Sequence, residues 1–231
     1  MRVVEVFRSR QGEGPHMGEE AVFIRLAYCN LYCSWCDTKY SWHPEKAIKL
    51  GFKVETPRTM ELTVDGAINL ITSVGDGVNH TVITGGEPLL WKRELIELTS
   101  RLRGMGWLIE VETNGTISPR GLEGTVDEFN VSIKLAHSGV PRRIRINEGV
   151  IKEFVNLNNS IFKFVVNSWD DYDEILELIT HFKIPRDRVY LMSQCTTREE
   201  CTVKDGQLTK PMAKKLGVNH TPRLHIIMGF K

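Results

Sequence analysis

No stretch of the chain approaches the roughly 20 apolar residues that a membrane-spanning helix needs, so no membrane partner is expected. The opening Met1-Arg2-Val3-Val4-Glu5-Val6-Phe7 lacks a long apolar run and carries an acid, which argues against a secretory leader and for a cytoplasmic location. An excess of either charge is missing too: 30 Lys and Arg face 29 Asp and Glu. That balance gives no reason to expect a nucleic-acid partner. No Gly-x-Gly-x-x-Gly follows the first predicted strand, which argues against a dinucleotide fold. Cysteine is scarce and odd in number, five in 231 residues, which argues against a disulfide framework. Cys195 and Cys201 stand far from the others and read as small buried hydrophobes.

What is present is alternation. Short apolar, β-branched runs predict strands at Ala21–Leu26, Thr81–Thr84, Trp107–Glu112, Glu128–Ile133, Ile161–Val166 and Val189–Met192, with Arg223–Ile227 as a seventh. Helical periodicity separates them, at Thr63–Val74, Lys92–Arg103, Asn147–Asn156 and Asp170–Phe182, with Lys210–Leu216 ended by Gly217. Ser168-Trp169-Asp170-Asp171 supplies an N-cap candidate and early acids. Such alternation implies right-handed crossovers, a mostly parallel sheet and an α/β class. Six to seven repeats suit a partial (β/α) barrel in one domain over residues 1–231, with the polar stretch 42–58 as an insertion or lid. Polar segments then fall at the C-terminal ends of strands, where α/β barrels build their sites.

The central signal is Cys29-Asn30-Leu31-Tyr32-Cys33-Ser34-Trp35-Cys36, spaced C-x3-C-x2-C. Three thiolates on one loop suit three irons of a 4Fe-4S cubane and leave the fourth iron open to chelate a small molecule. Structural zinc is the rival; it wants a fourth ligand, and His43, Cys195 and Cys201 are not at zinc-finger spacing. Thr84-Gly85-Gly86-Glu87-Pro88 ends the second predicted strand, with glycines for close backbone approach and a carboxylate that can accept from an ammonium. Arg25 inside an apolar strand asks for a buried anionic partner. Arg142-Arg143-x-Arg145 reads as a solvated basic face.

C-x3-C-x2-C with Trp35 before its last cysteine, followed by Gly-Gly-Glu-Pro, resembles the radical S-adenosylmethionine (SAM) enzymes. The resemblance implies a 4Fe-4S cluster on Cys29, Cys33 and Cys36, with SAM on its open iron, cleaved by one electron to a radical that takes hydrogen from the substrate. Arg8-Ser9-Arg10-Gln11-Gly12-Glu13-Gly14, Arg25 and Cys36-Asp37-Thr38 resemble, more narrowly, the 7-carboxy-7-deazaguanine synthase family of the deazapurine (queuosine) pathway. What that implies is a lyase that contracts 6-carboxy-5,6,7,8-tetrahydropterin to 7-carboxy-7-deazaguanine with loss of ammonia and help from Mg²⁺. On the resemblance, Gln11, Gly12 and Glu13 meet the pterin edge, Arg25 the substrate carboxylate, and Thr38 the Mg²⁺. Thr84, Glu112, Asn114, His225 and Lys231 are further substrate candidates. Trp35, Asp37, Gly86, Glu87, Ser132, Lys134 and Gln194 are SAM candidates. Ile133 stands where the family has proline in Ser-Pro-Lys, and the tail after His225 differs from the family's. A flavodoxin or ferredoxin electron donor and a homodimer are the implied partners. A glycyl-radical-enzyme activase, with the same cysteine spacing, is the alternative of like chemistry; a zinc-binding interaction module is the alternative of another class.

Overall fold

The structure, a computed structural model, describes residues 1–54 and 58–230. The chain divides into two compact units. The first comprises Met1–Arg8, Glu20–Thr113 and Ile117–Phe129; the second comprises Ser9–Glu19, Asn114–Thr116 and Asn130–Lys231.

The first unit holds β1 (Arg2–Arg10, whose last two residues belong to the second), β2 (Glu20–Leu26), α1 (Pro44–Lys49), β3 (Met60–Glu61), α2 (Val64–Gly75), β4 (His80–Gly85), α3 (Lys92–Gly104) and β5 (Leu108–Thr113). Strand order is β3-β1-β2-β4-β5. β2, β4 and β5 run parallel, with Arg25 opposite Thr84 and Leu26 opposite Gly85, whereas β3 caps the edge antiparallel to β1. Val22, Ile24 and Leu26 of β2, Ile83 of β4, and Ile109 and Val111 of β5 are wholly buried. They pack with Ile71 of α2 and with Leu95, Leu98 and Leu102 of α3. Burial on both faces is why these strands read as continuous apolar runs. Thr63 starts α2 by accepting from the Gly66 N–H at 3.1 Å, as an N-cap should.

The second unit takes β6 (Glu128–Ser132) from Asn130 on, then α4 (Arg142–Arg145), α5 (Glu148–Asn156), β7 (Ser160–Val166), α6 (Asp171–Phe182), β8 (Val189–Ser193), α7 (Arg198–Lys204), α8 (Lys210–Leu216), β9 (Asn219–His220) and α9 (Leu224–Met228). β7, β8 and β9 are parallel neighbours. Phe162 and Phe164 of β7 and Leu191 of β8 fill the core with Phe154 of α5 and Ile175 and Leu178 of α6. Between α7 and α8 the backbone widens into one π-helical stretch, Asp205–Thr209.

Three expectations are corrected, and one strand is added. Arg223–Ile227 is not a strand: α9 occupies it, and β9 supplies the edge instead. A short apolar run has no decisive period, and this one is only partly buried. The nine-residue β1 had no counterpart in the sequence reading, because Glu5, Arg8 and Arg10 interrupt its apolar pattern. Cys195 and Cys201 are wholly buried but are not free thiols; they form a disulfide across six positions. Arg145 is no solvated cation: it is buried, pairs with Glu174 at 2.5 Å and donates to Lys134 O at 2.7 Å, while Arg142 forks onto Glu177. At the start of α6 the cap is Asp170, but the bonds come from Asp171, which accepts from Asn167 N–H at 2.7 Å.

Candidate active site

The cysteine loop leaves β2 through Tyr28, a non-glycine residue in the left-handed region at φ 75°. Tyr28 donates to Ser41 O at 2.6 Å, so the thiol-bearing segment is a closed excursion. The expected insertion begins here. Trp42 is buried and packs edge-on against Tyr32 at 5.0 Å and Phe52 at 5.1 Å, which ties 42–52 to the loop. The rest of the stretch 42–58 falls partly on 55–57, outside the described residues.

Gly85 and Gly86 serve this loop directly. A Cβ on Gly86 would stand 2.1 Å from Tyr28 O, and one on Gly85, at φ 147°, 2.2 Å from Leu26 O. Gly86 N–H donates to Leu26 O at 3.0 Å and Glu87 N–H to Tyr28 O at 2.7 Å. The close approach that glycine permits is thus to backbone of the cysteine loop itself. Glu87 is wholly buried; its Oε1 accepts from Leu89 N–H at 3.0 Å and from Thr113 Oγ1 at 2.7 Å.

Cys29, Cys33 and Cys36 are not disulfide-bonded. Cys29 Sγ accepts from Leu31 N–H at 3.3 Å, and Cys36 Sγ lies 3.5 Å from Thr38 Oγ1. Burial pushes the Cys29 thiol up to about 12, and negative charge at Glu87, Cys33 and Cys36 adds to the shift. Electron-rich donors that oppose one another's ionisation are the set a cluster of iron cations relieves, so the residues fit a 4Fe-4S group. Among the described residues no three His, Cys, Asp or Glu side chains are placed to share one metal ion. A cubane asks something different, one thiolate on each of three irons. Trp35 is half-buried and Asp37 exposed. A cavity of about 280 Å³ borders Cys29 and is lined by Tyr28, Asn30, His43, Lys46, Leu90 and Trp91.

Three of the expected substrate residues also belong to this unit. Thr84 Oγ1 donates to Glu112 Oε2 at 2.8 Å, joining the ends of β4 and β5. Arg25 is engaged by Glu5, Nε to Oε1 at 2.8 Å, and Tyr40 Oη donates to the same oxygen at 3.1 Å. Burial works against the guanidinium, yet Tyr40, Glu5 and Glu112 outweigh it and raise its pKa. Glu5 and Tyr40 were missed in the sequence; the only sign of Glu5 was an acid among valines in an unrecognised strand.

In the second unit the turn Gln11–Gly14 is built by its own bonds. Gln11 N–H donates to Glu19 O at 2.8 Å, and Gln11 Oε1 accepts from Glu13 N–H at 3.2 Å. A Cβ on Gly12 would fall 2.2 Å from His225 Nδ1, and Leu224 N–H donates to Gly12 O at 2.9 Å, so α9 is seated on this turn. Glu13 is buried and ion-paired with Lys163 of β7, and Arg223 Nε lies 4.0 Å from its other oxygen. Burial alone raises the Glu13 pKa, but Lys163, His225 and Arg223 overcome it and bring it down to about 2. Gln11, Gly12, Glu13 and His225, all substrate candidates from the sequence, are therefore brought together. Lys163 and Arg223 were not foreseen, although a lysine inside Ser-Ile-Phe-Lys-Phe-Val-Val was a visible signal.

The remaining expected residues of this unit sit at strand ends. Lys134 Nζ donates to Ser132 Oγ at 2.7 Å. Asn114 Oδ1 accepts from Thr116 N–H at 3.0 Å and Oγ1 at 2.6 Å, in a turn that needs Gly115 at φ 74°. Gln194 follows Ser193, whose hydroxyl donates to Asp205 Oδ1 at 2.6 Å and lies 2.8 Å from Thr209 Oγ1. Ser193, His220 and Thr209 hold the Asp205 pKa low against burial, and the π-helical stretch is what carries Asp205 and Thr209. Lys231 lies outside the described residues.

The chain is similar to known proteins. The model of the radical SAM superfamily matches residues 24–193. A protein of Pyrobaculum aerophilum named 7-carboxy-7-deazaguanine synthase is 37% identical over 98% of this chain and 94% of its own length. One of the same name from Escherichia coli is 30% identical, covering 86% of each chain. Among solved structures, QueE from Escherichia coli superposes with a TM-score of 0.73 at 24% identity, covering 95% of this chain and 92% of that one, a likeness of fold. SuiB from Streptococcus suis matches 86% of this chain and 47% of its own, with a TM-score of 0.57 at 16% identity, again a likeness of fold. The chain therefore belongs to the radical SAM superfamily, with the mostly parallel α/β fold of that superfamily, and within it to the 7-carboxy-7-deazaguanine synthases.

Proposed function

We propose that this protein contracts 6-carboxy-5,6,7,8-tetrahydropterin to 7-carboxy-7-deazaguanine with loss of ammonia, as a radical SAM lyase of 7-deazapurine (queuosine) biosynthesis. The observation that carries the reading is near full-length likeness to relatives of that name, in a chain with three unbridged thiols on one loop. A 4Fe-4S cluster and SAM supply hydrogen-atom abstraction when bound. Cys29, Cys33 and Cys36 would hold the cluster, with Trp35, Asp37, Gly86, Glu87, Ser132, Lys134 and Gln194 assigned to SAM.

The chain's own residues do the binding and orienting. Glu13, ionised and fixed by Lys163, accepts from the amino and ring N–H groups of the pterin; Gln11 adds its amide, and Gly12 leaves room for His225. Arg25 offers a fork to the substrate carboxylate in exchange for, or beside, Glu5. Thr84, with Glu112 as its acceptor, and Asn114 are further substrate contacts. Thr38 is the protein ligand assigned to Mg²⁺, a hard ion for which a hydroxyl oxygen is suitable. A flavodoxin or ferredoxin donor and a homodimer complete the proposal.

The test is anaerobic. Reconstituted enzyme, a one-electron donor, SAM, Mg²⁺ and the carboxy-tetrahydropterin should yield the deazapurine by mass spectrometry. Reductive SAM cleavage without any deazapurine would turn the reading toward an activase. A colourless protein that takes up one zinc per chain would turn it toward the interaction module.

A further inference from the structure

The second unit buries an amide side chain that nothing above uses. Asn130 of β6 is wholly buried, and among the described residues neither its Nδ2 nor its Oδ1 has a hydrogen-bond partner. A buried amide left in that state opposes folding, so its retention needs a reason outside the fold. Its surroundings supply one. A Cβ on Gly14 would stand 3.5 Å from Asn130 Nδ2 and 3.4 Å from Ile161 Cδ1, so Asn130 faces the Gln11–Gly14 turn. Gly14 is held there at φ 73° by its N–H bond to Thr221 Oγ1 at 2.9 Å. The next residue back, Glu13, is paired with Lys163, which by strand alternation shares a face of β7 with Ile161. Ser132 shares a face of β6 with Asn130 on the same alternation.

We propose that Asn130 is a further substrate-binding residue, whose amide pairs with an amide-like lactam N–H and C=O edge of the flat heterocycle read by Gln11–Glu13. The chemistry divides between the two side chains. An ionised Glu13 only accepts, and so suits an edge that only donates. The Asn130 amide donates and accepts at once, and so suits an edge that does both. With no partner among the described residues to fix its flip, the amide can turn to whichever orientation the ring demands. This inference rests on the pterin reading above.

The test compares wild type with Asn130→Leu, an apolar side chain of similar size, and with Asn130→Ser, a smaller polar one. Product formation, the KM for the carboxy-tetrahydropterin, SAM binding and Tm are measured on anaerobically reconstituted enzyme. Asn130→Leu should raise the pterin KM about 5- to 150-fold, the range for one lost buried hydrogen-bond set. SAM binding should stay unchanged, and Tm should hold or rise because an unsatisfied amide has been removed. Asn130→Ser should give an intermediate KM, which keeps the test decisive if the leucine variant folds poorly. An analogue lacking the lactam carbonyl should bind wild type and variant alike. A fall in Tm with an unchanged pterin KM would overturn the proposal, since the amide would then be meeting only internal water. Wild type that makes no deazapurine would overturn the pterin reading and this inference with it; product from wild type with KM unmoved in both variants would sink the inference alone.

Discussion

The cysteine loop and the Gln11–Gly14 turn are both buried and rich in ionisable groups, yet their electrostatics run in opposite directions. On the loop, burial and neighbouring negative charge push the Cys29 thiol up to about 12. On the turn, cations hold the Glu13 carboxyl down to about 2 in spite of burial. The first arrangement gains its stabilisation when iron arrives, because thiolates bind the cation they otherwise lack. The second is complete without any ligand, because Lys163 already neutralises the carboxylate. A loop proposed to hold a cofactor can be left unsatisfied by the chain, whereas a turn proposed to read a neutral ring edge would need to be charged and rigid beforehand.

The contrast is broken most severely at the loop. Cys33→Ala should abolish cluster, SAM cleavage and product together, read by visible absorbance, iron content and turnover, while leaving the Tm of the iron-free chain nearly unchanged. At the turn the order should reverse. Lys163→Met leaves the buried carboxylate with only the longer Arg223 contact and should cost about 3 kcal/mol in urea unfolding, with cluster content retained. The double variant Lys163→Met/Glu13→Gln should recover most of that stability but none of the pterin affinity. The pair also has a pH signature. Glu13 titrates lower in the folded chain than its ordinary 4.5, so its contribution is complete above that value and is lost as pH falls from 4.5 toward about 2. The difference in unfolding free energy between wild type and the double variant should shrink over that window and stay constant above it. A smaller effect is expected at Gly12→Ala, about 1–3 kcal/mol plus a raised pterin KM, because the methyl group must displace His225 from the turn. Smallest for stability is Thr38→Ala, which should shift the Mg²⁺ titration of product formation and leave SAM cleavage in place; a superimposable titration would remove Thr38 from the metal.

Much of this was legible because the chemistry sits where the pattern changes. Apolar β-branched runs gave β2, β4, β5, β6, β7 and β8 to within about two residues, and polar motifs at their ends gave the loop and the Gly-Gly-Glu segment. What stayed hidden was pairing across long separations. Nothing near Arg25 in sequence announces Glu5, twenty residues away on a strand whose charges obscured its period. Glu13 gave no hint of Lys163, 150 residues on. The glycines were read as serving a ligand; the structure gives them a nearer duty, the passage of Leu26 and Tyr28 backbone. The helix that carries His225 was not foreseen, because a five-residue segment is too short to show a helical period.

The Cys195–Cys201 bridge has a practical corollary for anyone handling this protein. Exchange with an added thiol requires a direct approach to sulfur, and both bridged residues are fully enclosed, whereas Cys29 and Cys36 are partly open. Air and peroxide should therefore reach the Cys29 and Cys36 thiols before the bridge, slowly at Cys29 because its raised pKa keeps it protonated, and carry them toward sulfenic and sulfinic acids with the bridge untouched. A titre of reactive thiols on the native, cluster-free protein then reports the health of the triad alone, and a damaged preparation can be recognised before any assay is run.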